Sequence, residues 1–189
     1  MLLVFAPGDG AQPADGGLGG DPLLHALGHS LAAQGVRTLG FDSPAGEPGL
    51  RDARWKESML QLCSMRSPQQ SLVLGGFSRG ARVAAGLIAE VGACALLGFA
   101  YPLHAVREDR NAERIGELAN LEVPGLICQG ERDPHGNRAQ VRGYGLPARL
   151  QWHWMQGTKH RLWSEGVLLP QVLPALEQAT RFVGSLAKP

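Results

Sequence analysis

Cysteine is scarce in this 189-residue chain: Cys63, Cys94 and Cys128 are widely separated, and each is set in an apolar stretch. That number and spacing exclude a disulfide framework and a thiolate metal centre. They read as buried thiols of a reducing cytoplasm. Net charge is nearly absent too, since 18 basic residues face 17 acidic ones. Without a basic excess there is no electrostatic footprint for nucleic acid or for an anionic membrane surface. Lysine is just as scarce, and the 15 arginines are scattered rather than clustered. Long apolar runs are also missing: the opening "MLLVFAPGDG" carries no positive flank and reaches glycine after seven residues. Neither a secretory signal nor a membrane-spanning helix is therefore expected.

What is present is 44% hydrophobic residues, enough for one domain with a real core over residues 1–189. Apolar runs of strand length lie at 2–6, 36–41, 71–77, 94–100, 125–130 and 150–155. Helical patterns lie between or after them, at 21–34, 50–66, 79–91, 110–120, 137–145 and 168–186. Leu23, Leu24, Leu27 and Leu31 show the helical spacing most plainly. The strands are continuously apolar rather than alternating, which signals burial on both faces. The expected fold is α/β, a doubly wound and mainly parallel sheet of about six strands with helices on both sides.

Ligands of such sheets bind beyond the carboxyl ends of the strands, so the residues that follow each strand matter most. In order they are "PGDG", "DSPAG", "SRG", "YPLH", "ERDPHG" and "GTKH". A serine, an acid and a histidine thus occupy three different strand ends, in that chain order.

The serine lies in "GFSRG", which fits the nucleophile-elbow pattern G-x-S-x-G between a strand and a helix. A nucleophile on so tight a turn projects its oxygen into the cleft. Gly76 and Gly80 fall where a Cβ would strike the neighbouring helix and strand. Ala81, Ala84 and Ala85 keep the following helix thin enough to pack closely. The base must be a histidine able to reach Ser78, and His160, after the last strand, is the first choice. His104 at a strand end is its rival, His153 lies inside a strand, and His135 follows too closely on the proposed acid. His25 and His29 share a helix face, but no third ligand follows them, so they read as solvated and no metal is expected. Asp133 in "ERDPHG" is the acid that would orient His160, with Glu131 and Asp42 as alternatives. Two backbone N–H donors are needed for the oxyanion: that of Arg79 at the helix start, and that of Asp9 or Gly10 in the turn after the first strand.

The pieces "GGFSRGARVA", "GFAYPLH", "VPGLICQGERDPHG" and "GTKH" resemble the α/β-hydrolase superfamily, and within it the small, lid-free members related to dienelactone hydrolase. The resemblance implies a minimal version of that fold without a cap domain, its first strand corresponding to the third of the full fold. It also implies a catalytic triad of Ser78, Asp133 and His160. Dienelactone hydrolases proper carry a cysteine where Ser78 stands, so their particular reaction is not implied. Pro7 takes the place of the histidine that usually precedes the oxyanion turn.

The expected function is that of a serine hydrolase, a carboxylesterase or thioesterase cleaving small acyl esters through an acyl-enzyme, without cofactor. Its partner would be a small-molecule acyl substrate, and the protein a cytoplasmic monomer or homodimer that binds neither nucleic acid nor membrane. Two alternatives remain: a non-catalytic binding module on the same fold, and a peptidase or C–C hydrolase using the same triad. Only about twenty residues separate "YPLH" from "VPGLICQ", so the site should be open and suited to short acyl groups. Trp152 and Trp154 read as core, while Trp163 is a candidate wall of the acyl pocket.

Overall fold

The structure, a computed structural model, describes residues 1–9, 21–43, 50–108 and 110–187. Six strands build one parallel sheet: β1 (Leu2–Ala6), β2 (Arg37–Gly40), β3 (Leu72–Phe77), β4 (Ala95–Phe99), β5 (Gly125–Gly130) and β6 (Leu150–Met155). Parallel neighbours need a crossover rather than a tight turn, and helices supply it. They are α1 (Pro22–Ala32), α2 (Arg51–Cys63), α3 (Arg79–Val91), α4 (Ala112–Ala119), α5 (Arg138–Val141) and α6 (Leu173–Leu186).

Side chains alternate across each strand and so feed two separate cores. Leu2, Val4 and Ala6 of β1 pack with Trp55 and Met59 of α2 and with Ala81 and Ala84 of α3. Leu3 and Phe5 pack on the opposite face with the leucines of α1 and with Ala179 and Val183 of α6. The inner strands β1, β3, β4 and β5 are buried along their whole length, which is why they are apolar throughout. The outer strands β2 and β6 are only partly covered. On β6, Trp152 and Trp154 stack at 5.2 Å against the edge of the first core rather than within it.

Caps fix the helix ends. The Asp21 carboxylate accepts from the N–H of Leu23 at 2.9 Å, and Pro22 opens α1. Two helical expectations are corrected. The 137–145 stretch forms only the single turn α5, which begins with a capping box of Asn137 and Gln140 and stops before Gly145, held at φ +66. The last helix begins at Leu173, not 168. Before it, β7 (Trp163–Ser164) and β8 (Val167–Leu168) form a hairpin whose turn residues, Glu165 and Gly166, both have positive φ. Among the described residues, no helix is long and apolar enough to cross a membrane.

The strand order is β2-β1-β3-β4-β5-β6, so the direction of winding reverses between β1 and β3. A reversal parts the loops at the carboxyl edge and opens a crevice there. Asp9 leaves β1 and Ser78 leaves β3 on either side of it.

Candidate active site

Ser78 joins β3 directly to α3 with φ 52 and ψ −119, a conformation normally left to glycine at the first corner of a type II′ turn. Its N–H donates to the Phe99 carbonyl at 2.9 Å, and its carbonyl accepts from Ala81 at 3.0 Å, so both ends are held. The flanking glycines allow the strain. A Cβ on Gly76 would lie 2.4 Å from the Gly80 carbonyl carbon, and one on Gly80 would lie 2.3 Å from the Ala6 carbonyl oxygen. Helix α3 can start against the end of β1 only because both positions lack that atom.

The Ser78 hydroxyl lies 2.9 Å from His160 Nε2. On the far side of the ring, Nδ1 lies 2.9 Å from Asp133 Oδ2. An ionised carboxylate only accepts, so Nδ1 carries the proton and Nε2 is left as acceptor for the serine O–H. Asp133 is fully buried, and its second oxygen accepts from the His135 N–H at 2.8 Å. The loop that presents it is tied down from below by Gln129 of β5, which donates to the carbonyls of Tyr101 and Gly136. The His160 ring is packed between Phe77, 5.7 Å between centroids, and His135, edge-on at 4.5 Å. Gly130 makes room for this segment: a Cβ there would meet the Lys159 carbonyl oxygen at 2.4 Å.

His135 donates from Nδ1 to the His104 carbonyl at 2.9 Å, leaving Nε2 as its free acceptor. Burial lowers its pKa, the bond to His104 offsets part of that, and the neighbouring His160 and Arg114 lower it further. His135 is therefore neutral at pH 7. The site thus holds two imidazoles in contact, of which one reaches the serine.

A cavity of about 500 Å³ opens above Ser78, and its walls are mostly polar, half of the lining residues being charged. From α3, Arg79 donates to Asp9 at 2.9 and 3.1 Å and also to Asp52 of α2. One turn on, Arg82 donates to Glu117 of α4 at 2.6 and 3.1 Å, and Tyr101 donates to the same carboxylate. The turn after β1 is fixed by Trp55, whose indole N–H donates to the Pro7 carbonyl at 2.8 Å. Phe77, Pro102 and Trp163 form the apolar part of the wall, with Trp163 4.7 Å from Phe77.

The structure thus brings Ser78, Asp133 and His160 together, with Arg79 and Asp9 at the same cavity. Gly10 lies outside the described residues. The alternatives sit elsewhere: Glu131 accepts from Gly157 and faces Arg138, Asp42 is exposed, and His104 is buried with Nδ1 on the Ala105 carbonyl. His153 is half-buried on β6, His25 half-buried and His29 exposed on α1. Sequence reasoning missed Arg82, Arg114 and Asp52 as cavity residues and set His135 aside for its closeness to Asp133. For Arg82 a signal existed, since it stands one helical turn after Ser78.

A serine raised over the carboxyl edge of a parallel sheet, within reach of an imidazole, places this fold among the hydrolases. The family model described as an alpha/beta hydrolase domain matches residues 2–168, and the chain belongs to that family. Among solved structures it is similar to Est1E from Butyrivibrio proteoclasticus, with 14% identity, 99% of this chain and 88% of that one covered, and a TM-score of 0.68. A serine hydrolase without a lid from Xanthomonas campestris is 18% identical over 96% of this chain and 82% of that one, with a TM-score of 0.62. An alpha-beta serine hydrolase homologue from Coxiella burnetii is 17% identical over 99% and 85%, with a TM-score of 0.65. At such identities the likeness is one of fold. No curated protein matches by sequence.

Proposed function

We propose that this hydrolase is a serine-dependent carboxylic ester hydrolase acting on small acyl esters or thioesters. The observation that carries the reading is the relay from Ser78 through His160 to buried Asp133, 2.9 Å at each link. Ser78 Oγ attacks the acyl carbon while His160 Nε2 takes its proton. Asp133 holds the ring in the right tautomer and stabilises the imidazolium. The tetrahedral oxyanion turns toward the N–H of Arg79, the first residue of α3, where the helix dipole favours negative charge. Asp9 is the proposed second donor, its turn steadied by Trp55. As the bond to the leaving oxygen or sulfur breaks, His160 returns the proton to it. Water then attacks the acyl-enzyme, activated by the same Nε2, and the acid leaves.

The cavity wall also bears on chain length. A buried methylene is worth about 0.8 kcal/mol, roughly fourfold in kcat/KM. With only Phe77, Pro102 and Trp163 to receive it, that gain ends after a few carbons. The test pairs a fluorophosphonate probe with 4-nitrophenyl esters of graded length. Wild type is labelled and prefers acyl groups of about two to six carbons, while Ser78→Ala is unlabelled and at least ~10³-fold slower. Equal rates in the two proteins refute the reading, and absence of labelling leaves a binding module.

A further inference from the structure

Four guanidinium groups and two carboxylates line the cavity above Ser78, an excess of positive charge in a chain that is otherwise nearly neutral. The balance is uneven in a telling way. Arg79 is matched by Asp9 and Asp52, and Arg82 by Glu117. Arg114 of α4 and Arg161, directly after His160, face the same cavity and make no close ion pair among the described residues, Glu108 acting on Arg114 only through its field.

Arg114 is also the better positioned of the two. Its N–H is capped by the Asn111 side chain at 3.1 Å, and its carbonyl lies 3.3 Å from the Tyr101 hydroxyl oxygen. Its side chain spends one N–H on the Pro102 carbonyl at 3.4 Å, and the rest of the fork is left to the cavity. A half-buried guanidinium held this way loses little freedom on binding an anion, and it suits the two oxygens of a carboxylate or phosphate. Arg161 is exposed at the rim, where a charge attracts over distance more than it binds.

We propose that the physiological substrate is an anionic ester, one that carries a second, ionised acid group bound by Arg114 and drawn in by Arg161. This rests on the serine-hydrolase reading and names its substrate class. The acid group is a carboxylate or a phosphate, and its place beside the reacting ester accounts for a wall too polar for a lipid chain.

The test compares 4-nitrophenyl hydrogen glutarate with 4-nitrophenyl pentanoate, the same acyl length with and without the charge. Wild type at low salt should favour the charged ester at least ~10-fold in kcat/KM. Arg114→Gln should bring that ratio toward one, and Arg114→Lys should keep part of it. Arg161→Gln should flatten its dependence on ionic strength. In parallel, glutarate and inorganic phosphate are titrated into Ser78→Ala by calorimetry, and the tighter ligand identifies the acid group. A wild-type ratio at or below one, or a ratio that survives Arg114→Gln, overturns the proposal. If neither ester is cleaved but glutarate or phosphate binds through Arg114, the anion site stands and the esterase reading falls. No turnover and no binding refute the proposal.

Discussion

Replacing Ser78 by glycine should stabilise the protein relative to replacing it by alanine, although on the proposed mechanism both changes abolish catalysis. Residue 78 sits at φ 52 and ψ −119, which any Cβ makes costly and glycine adopts freely. Strain of this kind is worth about 1–3 kcal/mol. Against it, glycine adds about 0.4–1 kcal/mol of unfolded-state entropy. Both variants lose the bond to His160, so that contribution cancels in the comparison. The balance leaves Ser78→Gly about 1 kcal/mol more stable, which at this chain length is roughly 2–4 °C in Tm. Urea unfolding followed by circular dichroism measures it, and an unchanged m-value shows that both variants expose the same surface on unfolding. If the glycine variant is equal to or weaker than the alanine variant, the turn holds no strain and the argument fails.

Burial pushes the Asp21 carboxyl from 3.8 up to about 6, against the N–H bonds of Leu23 and Leu24. Because the folded form holds its proton more tightly than the unfolded one, this residue's contribution to stability falls as pH rises from about 4 to 6 and is level above. Asp21→Asn, which keeps a capping side chain, should remove that slope and gain at most about 3 kcal/mol at pH 7.5. Identical pH slopes in urea melts of the two proteins would refute it. Gly130→Ala should push the Lys159 and Thr158 carbonyls away and carry His160 with them. A drop of about 100-fold in kcat/KM with unchanged far-ultraviolet circular dichroism is expected, and full activity would show that the close approach is dispensable.

The residues that meet at Ser78 were legible where the backbone itself makes demands. Gly76 and Gly80 mark the strained turn, Pro134 and Gly136 mark the turn that carries Asp133, and the end of β6 locates His160. The hairpin at 163–168 was not legible, because its second strand supplies apolar residues at a spacing that a helix also satisfies. Its one local mark is Gly166, since Glu165 adopts positive φ without a sequence sign. Side-chain partnerships were the least legible. Nothing along the chain says that Glu117 turns to Arg82 and leaves Arg114 to the cavity, because that choice is made by how α3 and α4 pack. The packing of His135 was illegible for the same reason: closeness to Asp133 in sequence rightly set it aside as the base but says nothing of the edge it presents to His160.

The separation of 82 residues between Ser78 and His160 has a consequence for the birth of the protein. At synthesis rates of about 5–20 residues per second, the serine leaves the ribosome roughly 4–16 s before the histidine that would deprotonate it. Helix α6, which covers the second core, is made later still. On the proposed mechanism a nascent chain short of His160 carries a hydroxyl with no base beside it and should not acylate itself. On that mechanism chemical competence arrives late in synthesis, and a chain truncated anywhere before residue 160 should be silent.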